Sequence, residues 1–71
     1  MKKAKYKVGQ KVYYFDPFMP IRNMAIRNGI YCARRIEGRI RKVMKDNKNF
    51  LYLMEMEPVA YEEKHVSLKE F

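Results

Sequence analysis

The sequence predicts an all-β domain, a set of about five short strands wrapped round a central hairpin. Two observations carry that prediction. Runs rich in β-branched and aromatic residues, Lys11–Phe15, Ile30–Arg35, Gly38–Val43, Phe50–Met56 and Val66–Leu68, are each too short for a typical helix. Turn formers punctuate them: Gly9, Asp16-Pro17, Asn28-Gly29, the polar stretch Lys45-Asp46-Asn47-Lys48-Asn49, and Pro58.

In chain order, residues 1–7 form a lysine-rich arm and residues 8–71 a single domain. Val8-Gly9-Gln10-Lys11 is a turn in which Gly9 supplies a positive φ. Lys11–Phe15 is a strand stopped by Asp16-Pro17, because proline has no N–H to give a ladder. Residues 17–29 allow two readings. Pro20 suits the first position of a short helix ended by Asn28-Gly29, or Asn28-Gly29 is a two-residue hairpin turn between Met24–Arg27 and Ile30–Cys32. Arg22, Asn23, Arg27 and Asn28 break up any helical apolar stripe, so the hairpin arm is favoured.

The central hairpin follows. Ile40 and Val43 are three residues apart, so strict alternation puts them on opposite faces; a bulge near Arg41-Lys42 turns both inward. In the next strand Glu55 resists burial, which selects Phe50, Tyr52, Met54 and Met56 as the inner set and leaves Leu51 and Leu53 outside. Tyr61–His65 is a turn or a single helical turn, and Val66–Leu68 a short closing strand.

Seventy-one residues make one small domain near the lower limit for a core without staples. The single cysteine, Cys32, excludes an internal disulfide and fits a reducing, cytoplasmic setting, as a small hydrophobe rather than a nucleophile. The basic N-terminus is not followed by an apolar signal region, and no run is long enough to span a membrane. Net charge is +8, placed unevenly: residues 1–48 carry 14 Lys and Arg against 3 Asp and Glu, residues 49–71 only 2 against 5. That excess favours a polyanionic partner.

The order of these pieces resembles the SH3-like small β-barrels. Val8-Gly9-Gln10-Lys11-Val12 is similar to the Gly-x-x-Val entry of such barrels. Gly38-Arg39-Ile40-Arg41-Lys42-Val43 is similar to the end of KOW-type nucleic-acid-binding motifs, although Arg35-Ile36-Glu37 stands where those have a basic-glycine turn. Glu62–Leu68 is similar to the polar turn and final strand of the family. The resemblance implies a bent barrel with a long arm after the first strand and a short helical turn before the last. It does not fix function, since such barrels bind peptides, nucleic acids or subunits. The Trp-lined groove of proline-peptide binders has no counterpart, because the chain lacks Trp. Plasmid-type dihydrofolate reductases, also SH3-like, are set aside, because Val66-Ser67-Leu68-Lys69 lacks the glutamine and tyrosine of their active strand.

Two candidate surfaces emerge. For nucleic acid, Arg34, Arg35, Arg39, Arg41, Lys42, Lys45 and Lys48 lie on or beside the hairpin, where Arg39 and Arg41 are expected to share a face and track phosphates. Tyr13, Tyr14, Tyr31 and Tyr52 are placed to stack on bases. The plainer alternative is a solubilising outer sheet face with tyrosines in core and rim. For a partner protein or a homodimer, Phe18, Met19 and Ile21, with Leu51 and Leu53, form the apolar candidate surface; six methionines suit an adaptable contact. The segment 18–21 is expected to tuck under the domain rather than face outward. Catalysis has no support: His65, Ser67 and Cys32 lack triad spacing, and Glu55, Glu57, Glu62 and Glu63 have no metal-ligating companions. The chain reads as a non-enzymatic module without cofactor, whose composition suits a bacterial, plasmid or phage accessory protein. Phosphate-backbone binding is its leading function and protein interaction the alternative.

Overall fold

Strand β4, Ile36–Asp46, is the longest element and the one that two halves of the sheet share. Its first half pairs with β1, Lys11–Tyr14, and its second half with β5, Asn49–Met54. β6, Ala60–Glu62, then adds to β5, and β7, Val66–Ser67, adds to β1, giving the antiparallel order β6-β5-β4-β1-β7. These relations come from a computed structural model that describes residues 3–71. Met1 and Lys2, the start of the basic arm, lie outside the described residues.

The all-β expectation holds, with a long arm after the first strand and a short helical turn, Glu63–His65, before the last. Closure is different from the barrel expected. The ladder ends at β6 on one side and β7 on the other, so the sheet is curled but open. Each edge strand is only two or three residues long, and the chain between them is used to cross from one edge to the other through the 3₁₀ turn.

The bend in β4 is where the sequence places it. The register slips between Ile40, opposite Met54, and Lys42, opposite Leu53, leaving Arg41 as the extra residue. Ile40 is fully buried and Val43 packs against the core, so the bulge does bring both inward. Gly9 has φ +88°, and the adjoining backbone continues the β1–β4 pairing, with Gly9 N–H donating to Ile40 O at 2.7 Å and Ile40 N–H to Gln10 O at 3.1 Å. The turn after β4 is tighter than the five-residue loop expected. Pairing continues to Asp46 opposite Asn49, and Asn47 takes φ +56°, which asparagine tolerates better than most residues.

Half the core is tyrosine. Tyr6, Tyr14, Tyr52 and Tyr61 are buried with Val12, Ile40, Met54 and Val66. A buried phenol needs a partner for its hydroxyl, and the core meets that need at its rim. Tyr6 donates to Val66 O at 3.2 Å, Tyr14 to Glu57 at 2.8 Å and Tyr52 to Glu63 at 2.5 Å. The Tyr52 oxygen also accepts from the N–H groups of Lys5 and Tyr6, which draws the end of the basic arm against the domain. One inner residue is misplaced by alternation: Met56 is exposed at φ +68°, because β5 ends at Met54 and the chain turns away.

Gly38 marks the tightest point of the sheet. A Cβ there would lie 2.7 Å from Cε1 of the buried Tyr14 ring, which is held between Tyr61 and Glu57. Gly38→Ala is therefore expected to destabilise the fold by about 1–3 kcal/mol, measured by urea denaturation; a loss below ~0.5 kcal/mol would show that the ring can move aside.

Candidate interaction surface

The arm between β1 and β4 is the favoured hairpin, and of the helical alternative only one turn at Pro20 forms, ending at Asn23 well before Asn28-Gly29. Pro20 opens a 3₁₀ turn, Pro20–Asn23, and β2, Met24–Arg27, then pairs with β3, Ile30–Ala33. Asn28 and Gly29 both take positive φ, as a type I′ hairpin turn requires.

A polar clamp fixes the base of this arm. Asp16, 2% exposed, accepts from the N–H groups of Phe18 and Met19 and from Arg22 Nη1 at 2.9 Å. Arg22 Nη2 reaches Glu57 Oε1, the same oxygen that accepts from Tyr14. Asn23 is buried and binds the Asp16 backbone through both ends of its amide, at 2.8 and 2.7 Å. The Arg34 N–H closes the base onto Asn23 O at 2.9 Å. Hydrogen bonding from Arg22 holds the Glu57 carboxyl below its ordinary range, and burial, followed by the bond to Glu57, pushes the Tyr14 hydroxyl well up. Sequence reasoning missed this clamp. Its one visible signal was Asp16 before Pro17, read as a turn former alone.

Beyond the clamp the arm is apolar and uncovered. Phe18 is 70% exposed, Ile21 76%, Ile26 63% and Tyr31 70%, with Met19, Met24 and Ile30 also exposed. The expected tuck of residues 18–21 does not occur, because the turn at Pro20 points its buried side, Asn23, at the clamp and leaves the apolar chains outside. Residues directly opposite share a face, so Met24, Ile26, Tyr31 and Ala33 make one apolar side of the ribbon. On the other side Arg27 lies over the Phe71 ring at 4.4 Å, and Cys32 is half-buried. Leu51 and Leu53 are half-buried on the outer face of β5, opposite Met44 and Lys42 on one side and Glu62 and Ala60 on the other. Phe18 meets that edge across a cleft of about 70 Å³ that Ala60 and Glu62 also line.

The basic residues serve several local environments. Arg34 and Arg35 are half-buried at the arm's base, where Arg35 Nη1 donates to Lys69 O at 3.0 Å. Arg39 donates to Gly9 O at 2.7 Å. Arg41 is the bulge residue and donates to Met54 O at 3.1 Å, so it leaves the alternation that was to align it with Arg39. Lys42, Lys45 and Lys48 are exposed, and Lys45 lies over the Phe50 ring. Of the tyrosines placed for stacking, Tyr14 and Tyr52 belong to the core; Tyr13 is half-buried and Tyr31 exposed on the arm.

Among the described residues no three His, Cys, Asp or Glu side chains gather as a metal site, and no helix is long and apolar enough to cross a membrane. No family model, curated protein or solved structure matches the chain.

The clamp has a pH signature. Glu57 is depressed in the folded state, so its contribution is complete above its ordinary value of 4.5 and is lost as pH falls below it. Glu57→Gln is expected to cost about 1–2 kcal/mol at pH 7 and to flatten the fall in urea stability below pH ~4.5. Equal acid slopes in the two proteins would remove Glu57 from the clamp's energetics.

Proposed function

We propose that the chain is a non-enzymatic protein-interaction module whose contact surface is the arm of residues 18–33. The observation that carries this reading is the run of exposed apolar side chains on a clamped, two-stranded ribbon. A ribbon of this size is marginal in water on its own, and one apolar face without cover is the surface a partner completes. The resemblance to SH3-like domains is part of the proposal. An arm after the first strand and a 3₁₀ turn before the last support it.

Phosphate-backbone binding stays as a second reading because Arg39, Lys42, Lys45 and Lys48 are exposed on β4 and its turn. It ranks lower here, since several guanidiniums are bonded to the protein's own carbonyls and two of the stacking tyrosines are buried. A cytoplasmic role as an accessory protein fits either reading.

The two separate experimentally. In cells of its source, a photo-crosslinking residue at position 31 is expected to trap a discrete partner. Ile26→Asp with Met24→Asp should abolish that product, and Arg39→Glu with Lys42→Glu should leave it. Anisotropy titrations with duplex DNA, single-stranded DNA and RNA should show binding only at low salt and alike for all three. Micromolar or tighter binding of one of them at about 150 mM salt would overturn the protein-interaction reading in favour of the second.

A further inference from the structure

At the base of the arm lies a pocket of about 150 Å³ whose walls are Phe15, Ala33 and Phe71 and whose charged groups are Arg34, Arg35 and Glu70. Two features set it apart from the other clefts. The Arg34 Nε–H is sealed from solvent and has no acceptor among the described residues, and a buried donor left without a partner is costly. Ala33 belongs to the apolar side of the ribbon with Met24, Ile26 and Tyr31, so the pocket adjoins that surface at its Ala33 end.

We propose that this pocket receives a carboxylate side chain from the segment that docks along the arm, which makes the partner an acidic, apolar polypeptide. The inference rests on the arm being the contact surface. Charge complementarity identifies the partner: residues 17–36 hold four arginines and no acid. Of these, Arg22 is neutralised by Asp16 and Glu57 and Arg27 lies on the opposite side of the ribbon over Phe71, leaving Arg34 and Arg35 at the pocket. A second copy of this chain would bring its own +8 to the contact. The pocket itself favours a carboxylate over a phosphate. Its guanidiniums, Arg34 and Arg35, sit beside Glu70, and its phenyl walls suit a side chain with an aliphatic stem. A change in the last torsions of Arg34 turns the Nε edge toward the incoming oxygen and satisfies it in the side-on geometry guanidinium prefers.

The ¹⁵N-labelled 71-residue chain tests this without a partner. Its Arg34 Nε–Hε signal is followed during titration with N-acetyl-glutamate N-methylamide, with the isosteric glutamine derivative and with inorganic phosphate, at constant ionic strength. The glutamate probe is expected to move the signal saturably and to bind about tenfold or more tightly than the glutamine probe. Arg34→Lys, checked for an unchanged spectrum elsewhere, removes that signal and should also abolish the glutamate-induced shifts of the Ala33 and Arg35 backbone amide signals expected in the unsubstituted protein. An immobile Arg34 signal, an equal response at exposed Arg39, or a phosphate response matching the glutamate one overturns the proposal, the last in favour of a phosphate ligand. Arm signals that move on concentration alone, with a dimer in sedimentation, would overturn the acidic partner in favour of a second copy. Because the titration uses only this chain, its failure is distinct from failure of the arm to trap a partner.

Discussion

The Asp16–Arg22–Glu57 clamp connects two parts of the chain that share no strand pairing. Asp16 and Arg22 belong to the start of the arm, and Glu57 to the loop between β5 and β6. Without Arg22, a carboxylate that is 2% exposed and another that is half-buried would face each other across the arm's root. The guanidinium answers both at once, with separate nitrogens, which a lysine's single ammonium does less well. Tyr14 ties the same Glu57 oxygen to the core, so the orientation of the arm is set by the packing of the sheet. A ribbon whose own two strands are weakly stable thereby gains a fixed root.

That root explains how apolar residues come to be displayed. The 3₁₀ turn at Pro20 spends its one buried residue, Asn23, on the Asp16 backbone, and the polar amide occupies the space an apolar side chain would otherwise fill. Phe18, Met19 and Ile21 are left outside by geometry, since the inward position of the turn is already satisfied. The exposure is built into the fold and is compatible with a well-packed core, because Val12, Ile40, Tyr52 and Met54 are fully buried independently of the arm.

Local chemistry made much of the fold legible from sequence. Asn28-Gly29 and Gly9 announced positive φ, the three-residue spacing of Ile40 and Val43 required a bulge, and Pro20 and Asn28-Gly29 each kept the role that residue type favours. What stayed hidden depends on contacts distant in sequence. Asp16 and Glu57 lie far apart along the chain, and no local rule pairs them through Arg22. Alternation carried Met56 inward because it cannot register where a strand stops. It likewise aligned Arg39 with Arg41, although the bulge deduced from Ile40 and Val43 already implied a break between them. For the candidate surface, Phe18, Met19 and Ile21 were legible as residues and misjudged in direction, while of the ribbon residues Tyr31 was named only for base stacking and Met24 and Ile26 were not singled out.

The uneven charge takes on a different meaning once its hydrogen bonds are traced. Arginines reach the backbone carbonyls of Gly9 and Lys69, which lie outside the strands, and of Met54 at the end of β5. Guanidinium suits that task because it offers five donors in a plane and needs no counter-ion to do so. Each of these guanidiniums keeps its charge, but its direction is fixed against the protein's own backbone. Exposed charge remains on the lysines of β4 and its turn and on Lys3 and Lys7 of the basic arm, and at the arm's base Arg34 holds a donor without an acceptor among the described residues. Arg34 adjoins a pocket that meets the uncovered apolar face at Ala33, so charge and hydrophobic surface converge on the arm.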